Sequence, residues 1–273
     1  MDFRAIDEYI SKIEQSEIKS RALGRKKVKV GLDLGTAYIV IVVLDENDKP
    51  VACEKRAASV LRDGVVVDFV GASRIVGELK AALESRIRQE LTQCAIAMPA
   101  GTESSTKTHI YVAENAGFEV VRVLDEPTAA NAVYDISNGA IIDIGGGTTG
   151  LAVFRDGQVV RIADEATGGV HMTLVLAGNM GVSFEEAEQI KLNRNNHRKI
   201  FPVIKPVMEK MASIARKHID TTETKILYLC GGASCMTGIE EIFEHEIGIP
   251  TVKPKNPFLV TPAGIAKNCC CGN

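Results

Sequence analysis

Residues 143–150 read Asp-Ile-Gly-Gly-Gly-Thr-Thr-Gly and follow the apolar run Gly139-Ala140-Ile141-Ile142. Gly145, Gly147 and Gly150 have the G-x-G-x-x-G spacing of a dinucleotide-binding turn. The same composition suits a loop that holds a nucleoside triphosphate, or a bare turn. A dinucleotide site needs a helix directly behind the glycines, so that its N-terminus faces the pyrophosphate. Here Leu151–Ile162 follows, alternating like a hairpin around Asp156-Gly157, a favoured two-residue turn. The sequence contains no Gly-Lys dipeptide, which excludes a Walker loop. The loop therefore joins two antiparallel strands.

The same unit occurs earlier. Gly31–Ala52 and Ile141–Ile162 each run from an apolar strand ending in Asp, through a Gly/Thr turn, into a strand, a polar turn and a further strand. Glycine can adopt positive φ and has no side chain, so successive N–H groups can point at one anion. Two such loops, built on Gly35-Thr36 and Gly145-Gly146-Gly147-Thr148, would clamp a phosphate chain from opposite sides, with both threonine hydroxyls as added donors. Asp33 and Asp143 stand at the strand ends. Carboxylates so close to phosphate need a cation, and Mg²⁺ with its water shell fits that need. The plainer alternative is that both aspartates are turn formers at strand ends.

Around these loops the chain has 273 residues, 45% hydrophobic and 25% charged, with a net charge of −3. It can bury a core, and without a long Lys/Arg run it lacks the electrostatic footprint of a nucleic-acid binder. The N-terminus has no uninterrupted apolar stretch, and Tyr38–Leu44 is far shorter than the roughly 20 residues a membrane helix needs. A cytoplasmic protein without membrane contact is expected. Of seven cysteines, Cys53, Cys94, Cys230 and Cys235 read as small core residues, and Cys269, Cys270 and Cys271 as tail thiols.

Phe3, Ile6, Ile10 and Ile13 recur at helical spacing, and a Gly- and Lys/Arg-rich linker follows. This amphipathic helix either packs on the body or docks a partner. Residues 64–69 read as a strand, 71–87 as a helix and 94–100 as a buried strand. A helix ended by Gly117 and a strand follow, then a helix with Pro127 in its first turn, where a missing N–H is harmless. Residues 192–225 read mostly as one helix with Pro202 and Pro206 near its start.

Several stretches together carry a resemblance. Asp33-Leu34-Gly35-Thr36, residues 125–131, 143–149, 230–243 and 261–268 occur in the order of the five motifs of the actin-like ATPase superfamily. They resemble its first phosphate loop, first connecting helix, second phosphate loop, adenosine motif and second connecting helix. The resemblance covers roughly residues 28–268. Residues 62–69, 125–130, 143–150, 164–169, 176–179, 205–212 and 261–266 are together similar to the EutJ family, chaperone-like proteins of ethanolamine-utilisation operons that work around bacterial microcompartments.

The resemblance implies an α/β, ribonuclease H-like fold with two duplicated lobes around a nucleotide cleft. The expected segments are a helix and linker at 1–27, a first lobe at 28–140, a second lobe with a reduced outer subdomain at 141–258, and a connecting helix with a cysteine tail at 259–273. ATP and Mg²⁺ are the implied ligands. Asp33, Glu126, Asp143 and Thr148 form the implied catalytic set, with Asp33 and Asp143 organising the metal. Gly168 and Gly169 would approach the phosphates, Glu188 and Lys191 the ribose and base, and Gly231, Gly232 and Ala233 the adenosine. Glu126 could instead complement a helix dipole, Glu188 and Lys191 could be a surface ion pair, and Gly231-Gly232 a tight turn. His171 reads as a bystander.

Two departures stand out. Chaperone ATPases carry an acid shortly after the threonine of the second loop, where this chain has Gly150, so slow hydrolysis is expected. The segment between Lys191 and Ile226 is short, and no peptide-binding domain follows. The expected function is an ATP-dependent chaperone or reactivase with weak ATPase activity. Its partner would be a microcompartment enzyme or shell protein. The alternatives are a nucleotide-gated scaffold or filament with little turnover, and a small-molecule kinase, which the short subdomain disfavours.

Overall fold

Both Gly-Thr loops cap antiparallel strand pairs, and both are built the same way. The computed structural model describes residues 3–22, 26–100 and 105–270. Strand β1 (Val28–Leu34) pairs with β2 (Tyr38–Asp45), with Leu34 opposite Ile39. Strand β8 (Gly139–Ile144) pairs with β9 (Thr149–Arg155), with Ile144 opposite Thr149. Gly35 N–H donates to the Tyr38 carbonyl at 3.0 Å, and Gly145 N–H to the Thr148 carbonyl at 2.9 Å. The two turns thus close on the same residue spacing.

The duplication extends to whole sheets. The first has the order β3-β2-β1-β6-β7, with β3 at Pro50–Ala57, β6 at Gln93–Met98 and β7 at Glu119–Asp125. The second has the order β10-β9-β8-β11-β12, with β10 at Gln158–Glu165, β11 at Leu227–Cys230 and β12 at Thr251–Val252. In each, the first three strands form an antiparallel meander, and the two strands on the other side of the loop-bearing strand run parallel to it. β1 and β8 are the central strands, so Asp33 and Asp143 emerge at equivalent sheet positions.

Helices α2 (Phe69–Ile87) and α3 (Thr106–Asn115) cover the first sheet through Leu79, Leu83, Ile87, Val112 and Ala113. The second is covered by α5 (Gly169–Met180), α6 (Phe184–Leu192), α7 (His197–Arg216) and α8 (Ile239–Ile247). Between the sheets lie α4 (Glu126–Tyr134), α9 (Val260–Lys267) and α1 (Phe3–Ser16). Ile6, Ile10 and Ile13 of α1 are buried against both sheets, and Phe3 stacks on Tyr228 with ring centroids 6.3 Å apart. That stripe is covered by the protein's own body and is unavailable to a docking partner. The linker's centre, residues 23–25, and Cys271 lie outside the described residues.

Three local expectations are corrected. Residues 64–69 are not one strand: Asp63 and Gly64 take φ of 48° and 75° in a tight turn between β4 (Leu61–Arg62) and β5 (Val65–Val66), and Asp68 then caps α2 by accepting from Gly71 N–H at 2.9 Å. Pro202 and Pro206 lie inside α7 rather than near its start. Both are exposed, so the carbonyls they leave without a helical donor can reach solvent, while Ile200, Ile204 and Met208 keep the buried stripe. Cys269 is a buried core residue beside Ala95, Ala97 and Ile265, and Cys235 is only partly buried.

The connecting helices α4 and α9 cross at van der Waals distance because position 264 has no side chain. A Cβ on Gly264 would stand 2.0 Å from the Ala129 carbonyl oxygen. Gly264→Ala should therefore force the helices apart and cost roughly 1–3 kcal/mol in urea denaturation. An unchanged midpoint would show that the crossing tolerates a methyl group.

Candidate nucleotide site

The two loops face one another. A Cβ on Gly147 would stand 2.8 Å from Thr36 Oγ1 and 2.9 Å from Asp63 Cα, and one on Gly146 would stand 3.0 Å from Ala37 Cβ. Neither Gly35 nor Gly145, Gly146 or Gly147 has positive φ. At Gly35, Gly146 and Gly147 the missing side chain serves close approach, not a left-handed backbone, whereas a Cβ on Gly145 would meet only the Thr148 carbonyl oxygen, at 3.4 Å. As described, the loops touch, so a triphosphate enters only if they separate.

Helix α5 anchors the second loop. Gly169 N–H donates to the Gly145 carbonyl at 2.9 Å and Val170 N–H to the Gly146 carbonyl at 2.8 Å. Gly168 packs on the same loop: a Cβ there would lie 2.5 Å from the Gly146 carbonyl oxygen. Thr149 Oγ1 donates to the Thr167 carbonyl at 2.7 Å. His171 is no bystander, because its Nδ1 accepts from Gly168 N–H at 3.2 Å and caps α5.

Four carboxylates converge behind the loops. Asp143 is buried, and Asp33, Glu126 and Asp164 are partly buried. Burial, then the Asp143 charge, lifts Asp33 to about 7. Burial, with Asp143, Asp33, Asp164 and Asp125 adding repulsion, holds Glu126 well above the usual carboxylate range. Asp143 is raised by burial, although Thr261 and Cys230 hydrogen bonds oppose this. Asp164 reaches about 7 through burial and the Asp143 charge, against the pull of the Thr148 hydroxyl. Among the described residues no three His, Cys, Asp or Glu side chains are placed to ligate one ion. A cation here would be held through phosphate oxygens and water, with the carboxylates accepting from that water.

Glu126 is the first residue of α4, whose cap is Asp125 accepting from Thr128 N–H at 2.9 Å. The Thr261 hydroxyl donates to Asp143 Oδ2, tying the aspartate to the start of α9. Gly231, at φ 86°, sits against the same carboxylate: a Cβ there would be 2.2 Å from Asp143 Oδ1. Gly231 is therefore required by the turn itself.

The remaining residues meet nearby. Lys191 Nζ donates to the Gly169 carbonyl at 3.0 Å and to Thr173 Oγ1 at 2.7 Å, and pairs with Glu188 at 2.7 Å. Thr173 Oγ1 also donates to Glu188. Both side chains are largely buried, so this is not a solvated surface pair, and burial lowers the Lys191 pKa against the pull of Glu188. Lys191, Gly232 and Ala233 line a cavity of about 60 Å³ with Met172, Arg194 and Met236. It is smaller than the roughly 300–1,000 Å³ of small-molecule sites, in line with the closed loops.

Sequence reasoning missed Asp164, Thr261, Thr173 and Asp63. Asp164 ends a strand far from either glycine motif, and only strand register brings it to the site. Thr261 falls in the stretch that resembles the second connecting helix, but nothing in that stretch points to Asp143.

An ethanolamine utilization protein EutJ of Salmonella typhimurium is 43% identical over 240 residues, covering 88% of this chain and 85% of that protein. The chain belongs to the EutJ family. A crystal structure of EutJ from Carboxydothermus hydrogenoformans superposes with a TM-score of 0.90 at 42% identity, covering 98% of this chain and 99% of that one. Family models for cell division protein FtsA and MreB/Mbl protein match residues 140–267 and 53–193. MreB5 of Spiroplasma citri bound to ADP shares the fold, with a TM-score of 0.69 at 19% identity over 87% of this chain and 94% of that one. The EutJ fold here is thus the actin-like ATPase fold. No described helix is long and apolar enough to cross a membrane.

The raised carboxylates make a pH prediction. Asp33 titrates near 3.9 when unfolded and at about 7 in the fold, so its contribution to stability is complete below pH 4 and lost as pH rises through 7. Asp33→Asn cannot ionise. In EDTA it should gain stability over the parent between pH 5 and 8, by on the order of 1–2 kcal/mol after allowance for partial exposure. A pH-independent difference in urea titrations would contradict the shift.

Proposed function

We propose that this EutJ-family protein binds ATP with Mg²⁺ between its two Gly-Thr loops and uses the opening and closing of its halves to act on a protein client. The observation that carries this reading is the pair of identically closed loops facing each other, with Asp33, Glu126 and Asp143 behind them. The buried, partnerless Asp164 Oδ2 and the glycine-lined approach fit a cation–phosphate group. Mg²⁺ would supply charge neutralisation to the phosphates and to these carboxylates. Thr36, Thr148 and loop N–H groups would hold the phosphate chain, and Lys191, Gly232 and Ala233 would flank the nucleoside. Glu126 and Asp143 would orient the attacking water.

The hinges are α4 and α9. Thr261 on Asp143 and Glu126 at the first turn of α4 connect both helices to the phosphate end of the site. A ligand that touches both loops favours their closed state by its differential affinity, and loss of the γ-phosphate removes part of that preference. The relationship to EutJ proteins of ethanolamine utilisation points to a client within that pathway, an enzyme or shell protein of a microcompartment, served by a chaperone or reactivase in the cytoplasm.

Calorimetric titration with ATP, with and without Mg²⁺, tests the site. Wild type should need Mg²⁺ for full affinity. Asp143→Ala and Gly146→Val should each weaken Mg²⁺-dependent binding roughly tenfold or more, the first by loss of a water-mediated metal contact and the second by a side chain in the loop interface. Equal binding by all three proteins would remove the site assignment. Phosphate release that stays flat with every pathway protein, together with ATP-dependent pelleting, would replace the chaperone reading with a filament.

A further inference from the structure

We infer that Asp164 is a further cation-directed carboxylate of the nucleotide site, projecting over Gly150 into the space left by that residue's missing side chain. This rests on the ATP·Mg²⁺ reading above. Gly150 on β9 lies directly opposite Asp143 on β8 and directly opposite Asp164 on β10. Cross-strand partners share one face of a sheet, so the two aspartates flank the glycine on the same face. With no side chain between them, the Asp164 carboxylate leans inward. Its Oδ2 lies 3.1 Å from where a Cβ on Gly150 would be, and the Pro127 ring lies 3.3 Å from the same point. Pro127 is the second residue of α4, so the carboxylate reaches the Glu126 end of that helix.

Asp164 Oδ2 is buried and accepts no hydrogen bond. A buried carboxylate oxygen without a donor is costly, and the usual compensation is a cation or a cation's water. Among the described residues no lysine or arginine supplies it. The neighbouring charges on Asp164 are the acids Asp143 and Glu165, and the hydroxyl of Thr148 is the polar group from the second loop. Glu165 turns away to pair with His218 at 3.0 Å. The position where the sequence departs from chaperone ATPases, Gly150, is thus filled in space by an acid from the adjacent strand. Asp164 acts on the cation that accompanies the nucleotide, not on the nucleotide itself.

The test is the Mg²⁺ dependence of ATP affinity for wild type, Asp164→Asn and Asp164→Ala, read by competition against a fluorescent ATP analogue. Both variants should melt no lower than wild type in EDTA, since each removes a like charge from the cluster. The Mg²⁺ concentration that gives half-maximal ATP binding should rise roughly tenfold or more. Affinity for ATP without Mg²⁺ should stay the same or tighten, a split that general damage to the fold would not produce. The inference is overturned if wild type binds in an Mg²⁺-dependent way and both variants keep its midpoint, or if the variants lose Mg²⁺-free and Mg²⁺-bound affinity alike. Wild type that shows no Mg²⁺-dependent binding overturns the underlying reading as well.

Discussion

Four acidic side chains share one poorly solvated corner: burial raises all four, and the Asp143 charge adds to the rise at Asp33, Glu126 and Asp164. Asp33 and Asp143 end the central strands of the two sheets, Glu126 begins the helix that joins them, and Asp164 arrives from an edge strand. A fold gains nothing from such crowding by itself. It is stable only as a compromise between repulsion and protonation, and that compromise links the corner to pH.

The rest of the architecture holds this corner in place. Each sheet has its own outer core, and α4, α9 and α1 fill the space between. α9 touches both sides: Gly31 of β1 admits it closely, Gly264 admits α4, and Thr261 reaches Asp143. The N-terminal helix spans both sheets as well, so it belongs to the coupled core.

Much of this was legible in the residues. The repeated Asp–Gly–Thr unit announced two equivalent hairpins, and their hydrogen bonds and register repeat in the structure. The order of the motifs foretold the fold. What was not legible depended on register and on contacts distant in sequence. Asp164 opens the family-like stretch 164–169, but nothing in that stretch gives it a role, and only the pairing of three strands sets it beside Gly150. The loop glycines were expected for positive φ and for their missing side chains; none of them has positive φ, and close packing is what excludes a side chain at Gly35, Gly146 and Gly147. Gly231, expected to approach a nucleoside, also accommodates Asp143, a contact its motif does not announce. The apolar stripe of α1 was readable as a helix face, but its burial against the protein's own sheets was not decided by periodicity.

The most direct measurement is a crystal structure grown with a non-hydrolysable ATP analogue and Mn²⁺, with anomalous scattering used to locate the metal. The account predicts phosphates between residues 35–37 and 145–148, with one manganese peak among the carboxylates of Asp33, Glu126, Asp143 and Asp164. Nucleotide bound elsewhere, or bound there with no metal peak beside those carboxylates, would contradict it.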